Sequence, residues 1–254
     1  MPMLKPLLIA FGLLGSGCAT VSSAPPPSPN AETNRPPAGF QGVYGRLVDS
    51  ESPASIPVRH RIQVPTEGAP AMGASSPVVQ IVVFSDFECP YCSRVMPPLH
   101  RLLAAYPDDI QIVFRHFPLS FHVNALPAAC AANEARVQAG DEGFWRMHDR
   151  LFAHQGQLSH HDLIRHAAAI DLDAAAMGAA LDAGVHEAAV EADQAIASSL
   201  GVTGTPATFV NGRPIRGAQA YEAYAALVGE ELRFAEQWIR AGQPREGFIP
   251  ALHR

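Results

Sequence analysis

The chain has 254 residues and a mass of 27.1 kDa, enough for one large domain or two small ones. Hydrophobic residues make up 48% and charged residues 17%, a balance that supports a sizeable core and excludes global disorder. A formal net charge of −6, from 24 acids against 18 bases, argues against a nucleic-acid binder, and four cysteines are too few for a disulfide-built scaffold.

Residues 1–18 (MPMLKPLLIAFGLLGSGC) carry one positive charge, then an apolar run from Leu7 to Leu14, then small residues. That is the pattern of a secretory signal peptide, and the run is far short of the roughly 20 residues a membrane-spanning helix needs. Gly15, Ser16 and Gly17 directly before Cys18 resemble a bacterial lipoprotein processing site, with Leu14 one place off the usual leucine. Lipidation of Cys18 is the expectation, and ordinary cleavage nearby is the alternative; either way the chain leaves the reducing cytosol. Residues 19–56 are read as a linker, rich in Ser, Pro and Ala up to about Pro37.

The main domain is expected over residues 57–254. Residues 58–65 (VRHRIQVP) alternate apolar and polar and predict an edge strand closed by Pro65. Residues 78–84 (VVQIVVF) read as a strand buried on both faces. The spacing of Val95, Leu99, Leu102, Leu103 and Tyr106 predicts a helix from Tyr91, kinked where Pro97 and Pro98 fall inside it. Residues 110–117 (IQIVFRHF) supply a second central strand, and the three elements together predict a parallel βαβ unit. Helical patterns follow at 124–140, 143–154 and 159–170, the last behind a Ser159 cap, and then as two short helices broken near Gly184. A short strand at 207–210, an Asn211-Gly212 hairpin turn, a strand at 213–216 and a helix striped by Tyr221, Tyr224, Val228, Leu232, Ala235 and Trp238 complete the order.

Cys89-Pro90-Tyr91-Cys92 lies at the junction of the first buried strand and the first helix. Two cysteines in this spacing and setting are a redox signature. A helix N-terminus stabilises a thiolate at Cys89, and Pro90 suits the first turn because it has no N–H to leave unpaired. Cys92, one turn further in, would be more shielded and placed to attack a mixed disulfide formed at Cys89. A zinc site or a static disulfide is the bland alternative. Zinc would need two more ligands, which the isolated Cys18 and Cys130 and the scattered His100 and His116 do not supply as a recognisable pair.

The segments FSDFECPYC, FRHFPLSFHVNA, FWRMHDRLF and GVTGTPATFVNG, in that order, resemble the DsbA-like thioredoxin-fold family of bacterial thiol-disulfide oxidoreductases. The resemblance runs from about residue 58 to the last helix. It implies an α/β thioredoxin-like fold with a helical insertion between an N-terminal βαβ and a C-terminal ββα half. It also implies that Cys89 is the nucleophile, Cys92 its resolving partner and Pro206 a cis-proline facing the site. Thr205 would be the residue whose backbone pairs with a bound substrate peptide, with Pro90 and Tyr91 shaping the dithiol from within. Two departures stand out. Many relatives carry a buried acid six residues before the nucleophile, where this chain has Val83; Asp86 and Glu88 are nearby substitutes or simply exposed loop acids. The dipeptide is Pro-Tyr instead of the Pro-His of strongly oxidising members, so a less acidic Cys89 and a milder oxidant are expected.

The expected function is an exported enzyme that donates, removes or rearranges disulfides in extracytoplasmic client proteins. No cofactor and no metal are required, because the cysteine pair stores the two electrons, but a redox partner must reset it. The alternative is a periplasmic binding module, either a Cu(I) thiol carrier or a peptide-holding chaperone. A periplasmic or envelope location follows, with a membrane tether through Cys18 if it is lipidated. A monomer is expected, because no additional N-terminal dimerisation domain is visible. Cys130 reads as a small core residue, and His160, His161 and His166 as a solvated helix face.

Overall fold

The computed structural model describes residues 61–253. The expected signal peptide, Cys18, the expected linker and the first residues of the expected domain, 57–60, lie outside the described residues. Strands β1 (Ala71–Gly73), β2 (Val79–Ser85), β3 (Ile110–His116), β4 (Ala207–Val210) and β5 (Arg213–Arg216) form one sheet in the order β1-β3-β2-β4-β5. β2 and β3 run parallel through the crossover helix α1 (Met96–Ala105), and the other three pairings are antiparallel. Between β3 and β4 come α2 (Ala125–Ala153), α3 (His160–Ala168), α4 (Ala174–Asp182) and α5 (Glu187–Ser199). After β5 come α6 (Tyr221–Arg240), a 3-10 turn at Arg245–Gly247 and α7 (Phe248–Ala251). This is the expected thioredoxin-like fold, a βαβ half and a ββα half separated by a helical insertion.

The period of two along β2 divides the core. Ile81 and Val83 face a large cluster with Ile112 and Phe114 of β3 and with Leu99, Leu102, Phe144, Met147, Tyr224 and Val228, supplied by α1, α2 and α6. Val82 and Phe84 face the opposite side, with Val113, Phe209 and Ala197 of α5. The sheet is therefore covered on both faces, which explains why β2 and β3 carry so few polar residues.

Local sequence explains the joints. Asn211 and Gly212 both have positive φ, 45° and 80°, as a two-residue hairpin turn requires. A side chain at Gly212 would also meet the Ile62 carbonyl oxygen at 2.4 Å. α2 is two helices joined across Ala139 and Gly140, where Gly140 takes φ 66°, so the break expected between residues 140 and 143 is present. Ser159 caps α3 in a reciprocal box with Asp162, and Gly184 separates α4 from α5 with φ 62°.

Three expectations are corrected. The edge strand is β1, while residues 61–66 are irregular. Pro65 has no N–H for a ladder, and its carbonyl oxygen accepts from the Arg115 guanidinium at 2.9 Å. Ile62 and Val64 pack against the sheet without pairing along it. Secondly, the prolines do not kink α1; they mark where it begins. Residues 89–95 wind as turns bonded three residues apart, and the regular ladder starts with Leu99 N–H donating to Val95 O. Pro97 and Pro98 sit where a helix leaves N–H groups unused. Thirdly, His166 is buried, not solvated: Arg150 Nε donates to its Nδ1 at 3.0 Å and its Nε2 pairs with Gln157 O at 2.9 Å. His160 and His161 are exposed as expected.

Candidate active site

β2 ends at Ser85, at the carboxyl edge of the parallel pair, and delivers the chain into residues 86–92. Cys89 N–H donates to Asp86 O at 3.2 Å and Cys92 N–H to Cys89 O at 3.1 Å, so consecutive tight turns place both thiols on one side. Both are free thiols, 4% and 1% exposed, with Cys92 the deeper, as its position one turn further in predicts. Tyr91, at 56%, points to solvent with Arg94 stacked over its ring at 5.2 Å; Pro90 is exposed beside it.

The C-terminal half supplies the opposite wall. Thr205–Pro206 is a cis peptide at the start of β4, and the Cys89 thiol reaches the Thr205 carbonyl oxygen at 3.7 Å. The structure thus brings together Cys89, Cys92, Thr205 and Pro206 from segments more than a hundred residues apart. A cavity of about 280 Å³ opens behind this loop, lined by residues that include Val202, Thr205, Pro206, Ile215 and Arg216.

The two sulfurs have opposite acidities. Hydrogen bonding from Cys92 lowers the Cys89 pKa to about 5 against the resistance of burial, with the Thr205 hydroxyl and the backbone of residues 91 and 92 adding to the effect. Burial, reinforced by the neighbouring Cys89, pushes Cys92 strongly upward, while Ser85 and the Asp86 N–H, 3.5 Å from its sulfur, act the other way. At neutral pH the pair is one thiolate and one thiol that shares its proton with it. That arrangement is poised for nucleophilic attack at Cys89, with the second sulfur held in reserve.

Asp86 and Glu88 are not exposed loop acids, and neither takes the place of the acid absent at Val83. Asp86 is buried, and its carboxylate accepts from Glu88 N–H at 2.7 Å and Leu119 N–H at 2.8 Å, and pairs with His122 Nδ1 at 2.7 Å. Glu88 accepts from Asn124 N–H at 2.7 Å. Both carboxylates are spent on fastening the loop between β3 and α2 to the cysteine segment. Val83 itself is buried between Phe114 and Thr208 across the sheet.

Two contributors had no sequence signal. Ser85, the last residue of β2, acts on the acidity of Cys92. Gln155, beyond the end of α2, donates from Nε2 to the carbonyl oxygens of Phe87 and Cys89, each at 2.9 Å. Phe87 also anchors the loop from below, stacked on Phe114 at 5.4 Å and packed against Phe152 and His148. Among the described residues no group of three or more His, Cys, Asp or Glu side chains is placed to hold a metal ion. Cys130 is 4% exposed, in a small cluster with Val190.

A family profile described as thioredoxin matches residues 65–230, more than half of the chain, and the chain belongs to that family. Within it, the fold with a helical insertion is that of the DsbA-like proteins. Oxidised BdbD from Bacillus subtilis superposes with a TM-score of 0.64 at 21% identity, covering 68% of this chain and 97% of that one. The thiol-disulfide exchange protein alpha-DsbA2 from Wolbachia pipientis gives 0.58 at 22% identity, covering 65% and 87%. In sequence, the Na(+)/H(+) antiporter NhaA 1 of Salinispora arenicola (strain CNS-205) is 38% identical over 208 residues, 81% of this chain and 29% of that protein. The chain spans less than a third of the length of the curated relatives it matches. No helix among the described residues is long and apolar enough to cross a membrane.

Proposed function

We propose that the chain is a thiol-disulfide oxidoreductase acting on proteins outside the cytoplasm, with Cys89 as nucleophile and Cys92 as resolving thiol. The observation that carries this reading is the placement of two buried free thiols one turn apart against Thr205 and Pro206, and the opposite directions of their acidity shifts support it. In the reducing direction the Cys89 thiolate attacks a client disulfide, forming a mixed disulfide and releasing one client thiolate. Cys92 then gives up its proton and attacks the Cys89 sulfur; the mixed disulfide breaks, the second client thiolate leaves, and the pair is oxidised by two electrons. Run backwards, the same steps donate a disulfide to a client dithiol. The pair then needs a partner to reset it.

Pro206 and Thr205 are the proposed wall against which an extended client segment lies, with Thr205 O accepting from the client backbone once the Cys89 thiol has ionised. Export rests on the signal-like residues 1–18, and a lipid tether on Cys18.

Two measurements test the reading. The Cys89/Cys92 reduction potential in a glutathione buffer should fall between about −120 and −270 mV, the known span of such dithiols. Cys92→Ala should accumulate mixed disulfides with clients when expressed in the envelope. A pair that forms no disulfide, or a variant that traps nothing while the wild type binds Cu(I) tightly, overturns the enzyme in favour of a carrier.

A further inference from the structure

We propose that Gln155 is a positioning residue for the dithiol, acting through its side-chain amide on the backbone that carries Cys89. The inference rests on the oxidoreductase reading above.

The geometry is specific to hydrogen-bond donation. Gln155 Nε2 has two hydrogens and meets two acceptors, Phe87 O and Cys89 O, each at 2.9 Å across 68 and 66 residues of chain. Cys89 O already accepts from Cys92 N–H at 3.1 Å, so both of its lone-pair directions are occupied. Residues 86–89 belong to no strand or helix, so apart from the packing of Phe87 the loop is held by what its polar groups meet. Asp86 and Glu88 fasten its side chains to the loop after β3, while Gln155 fastens its carbonyls to the helical insertion.

Gln155 is itself rigidly presented. It lies in a turn in which Gln157 N–H donates to His154 O at 2.8 Å, and His154 Nδ1 pairs with Arg150 O at 2.8 Å. The guanidinium of Arg150 can only donate, so His166 Nδ1 accepts from it at 3.0 Å. The one proton of the neutral ring then sits on Nε2 and bonds Gln157 O at 2.9 Å. Burial lowers the His166 pKa, which keeps the ring in that neutral form. Hydrogen bonds from α3 and the end of α2 thus brace His154 and Gln157, the residues either side of the 155–156 segment whose Gln155 side chain reaches the Cys89 carbonyl. The effect is to hold Cys89 where its sulfur can receive the Cys92 hydrogen bond, the largest influence on its acidity.

The test compares Gln155→Ala and Gln155→Glu with wild type in the full chain, reading the thiolate titration of Cys89 and the rate of disulfide exchange with oxidised glutathione. Gln155→Ala should raise the Cys89 pKa by about one unit and move the acid limb of the exchange rate against pH upward by the same amount. Gln155→Glu keeps the shape of the side chain but sets an acceptor against two carbonyl oxygens, so it should be worse than Ala on both readouts. If Glu matches wild type, the side chain only fills space, and if Ala matches wild type it does nothing; either result overturns the proposal. Should both variants fail to fold, the wild type decides by NMR. The Gln155 amide protons should be protected from solvent and should shift when the pair is oxidised; a freely exchanging amide defeats the idea. A wild type that exchanges no disulfide at all would instead defeat the oxidoreductase reading, leaving the clamp a matter of structure.

Discussion

The Cys89 sulfur lies 3.7 Å from the carbonyl oxygen of Thr205, a residue 116 positions further along the chain. The Thr205 hydroxyl is buried with no hydrogen-bond partner of its own, and its influence lowers the Cys89 pKa. Thr205→Val should therefore raise the Cys89 pKa by about one unit, the scale of one hydrogen bond to a charged group, while Thr205→Ser should leave it near about 5. Ultraviolet absorbance of the thiolate against pH reads both. Equal values for valine and serine would remove the hydroxyl from the account.

The opposed acidities set the proton count of the redox couple. Between pH 5 and 9 the reduced pair carries one proton, on Cys92, so two electrons enter with one proton. The reduction potential should fall by about 30 mV per pH unit across that window, and by about 59 mV per unit below pH 5, where both thiols are protonated. A steeper slope at neutral pH would mean that Cys89 is not ionised there. The same lowered pKa stabilises the folded reduced form: its contribution is fully present above the unfolded thiol value near 9 and is lost as pH falls through about 5.

Much of this was legible in the sequence because the decisive features are local. The β-branched run of β2, the Asn211-Gly212 turn, the Ser159 cap and the spacing of the two cysteines each act over a few residues. What was not legible depends on distant partners. Asp86 reads as a loop acid until Leu119 and His122 are seen to close over it, and Gln155 is an ordinary polar residue until the fold places two carbonyls before it. His166 reads as one more polar residue on a helix because its partners Arg150 and Gln157 lie outside that helix. The false edge strand failed for a related reason: its alternation is real and packs against the sheet, but Arg115 takes the Pro65 carbonyl that a ladder would have used.

At the end of the sheet away from the cysteines, Glu231 is fully buried and accepts from Arg61 at 2.8 and 3.0 Å, from Arg213 at 3.0 Å and from Asn211 Nδ2 at 3.1 Å. Glu231→Gln leaves the buried Arg61 charge uncompensated and should cost about 3 kcal/mol of stability in chemical denaturation, with the Cys89 pKa unchanged. A loss under about 1 kcal/mol would show that the cluster relaxes or admits water.

Acid should weaken the oxidised protein through His116. Burial lowers its pKa to about 4, against the opposing pull of Asp193. The unfolded chain takes up this proton near pH 6.5, so the stability held by the neutral ring is present above 6.5 and lost as pH falls from there to about 4. His116→Gln should flatten that part of the stability profile by on the order of 3 kcal/mol. An unchanged profile would assign the acid sensitivity to His148 and His166, whose pKa values burial lowers in the same direction.

Cys130 lies close to the apolar ideal of an inert sulfur: buried in its own cluster, with its pKa pushed up to about 11 by desolvation and the nearby Glu187. On the proposed function, a dithiol that swaps disulfides shares its domain with a third sulfur, and folding alone keeps the two chemistries apart. Heating should therefore end in scrambled covalent isomers once Cys130 is released, with reversibility recovered in Cys130→Ala or under acid, where no thiolate survives to attack.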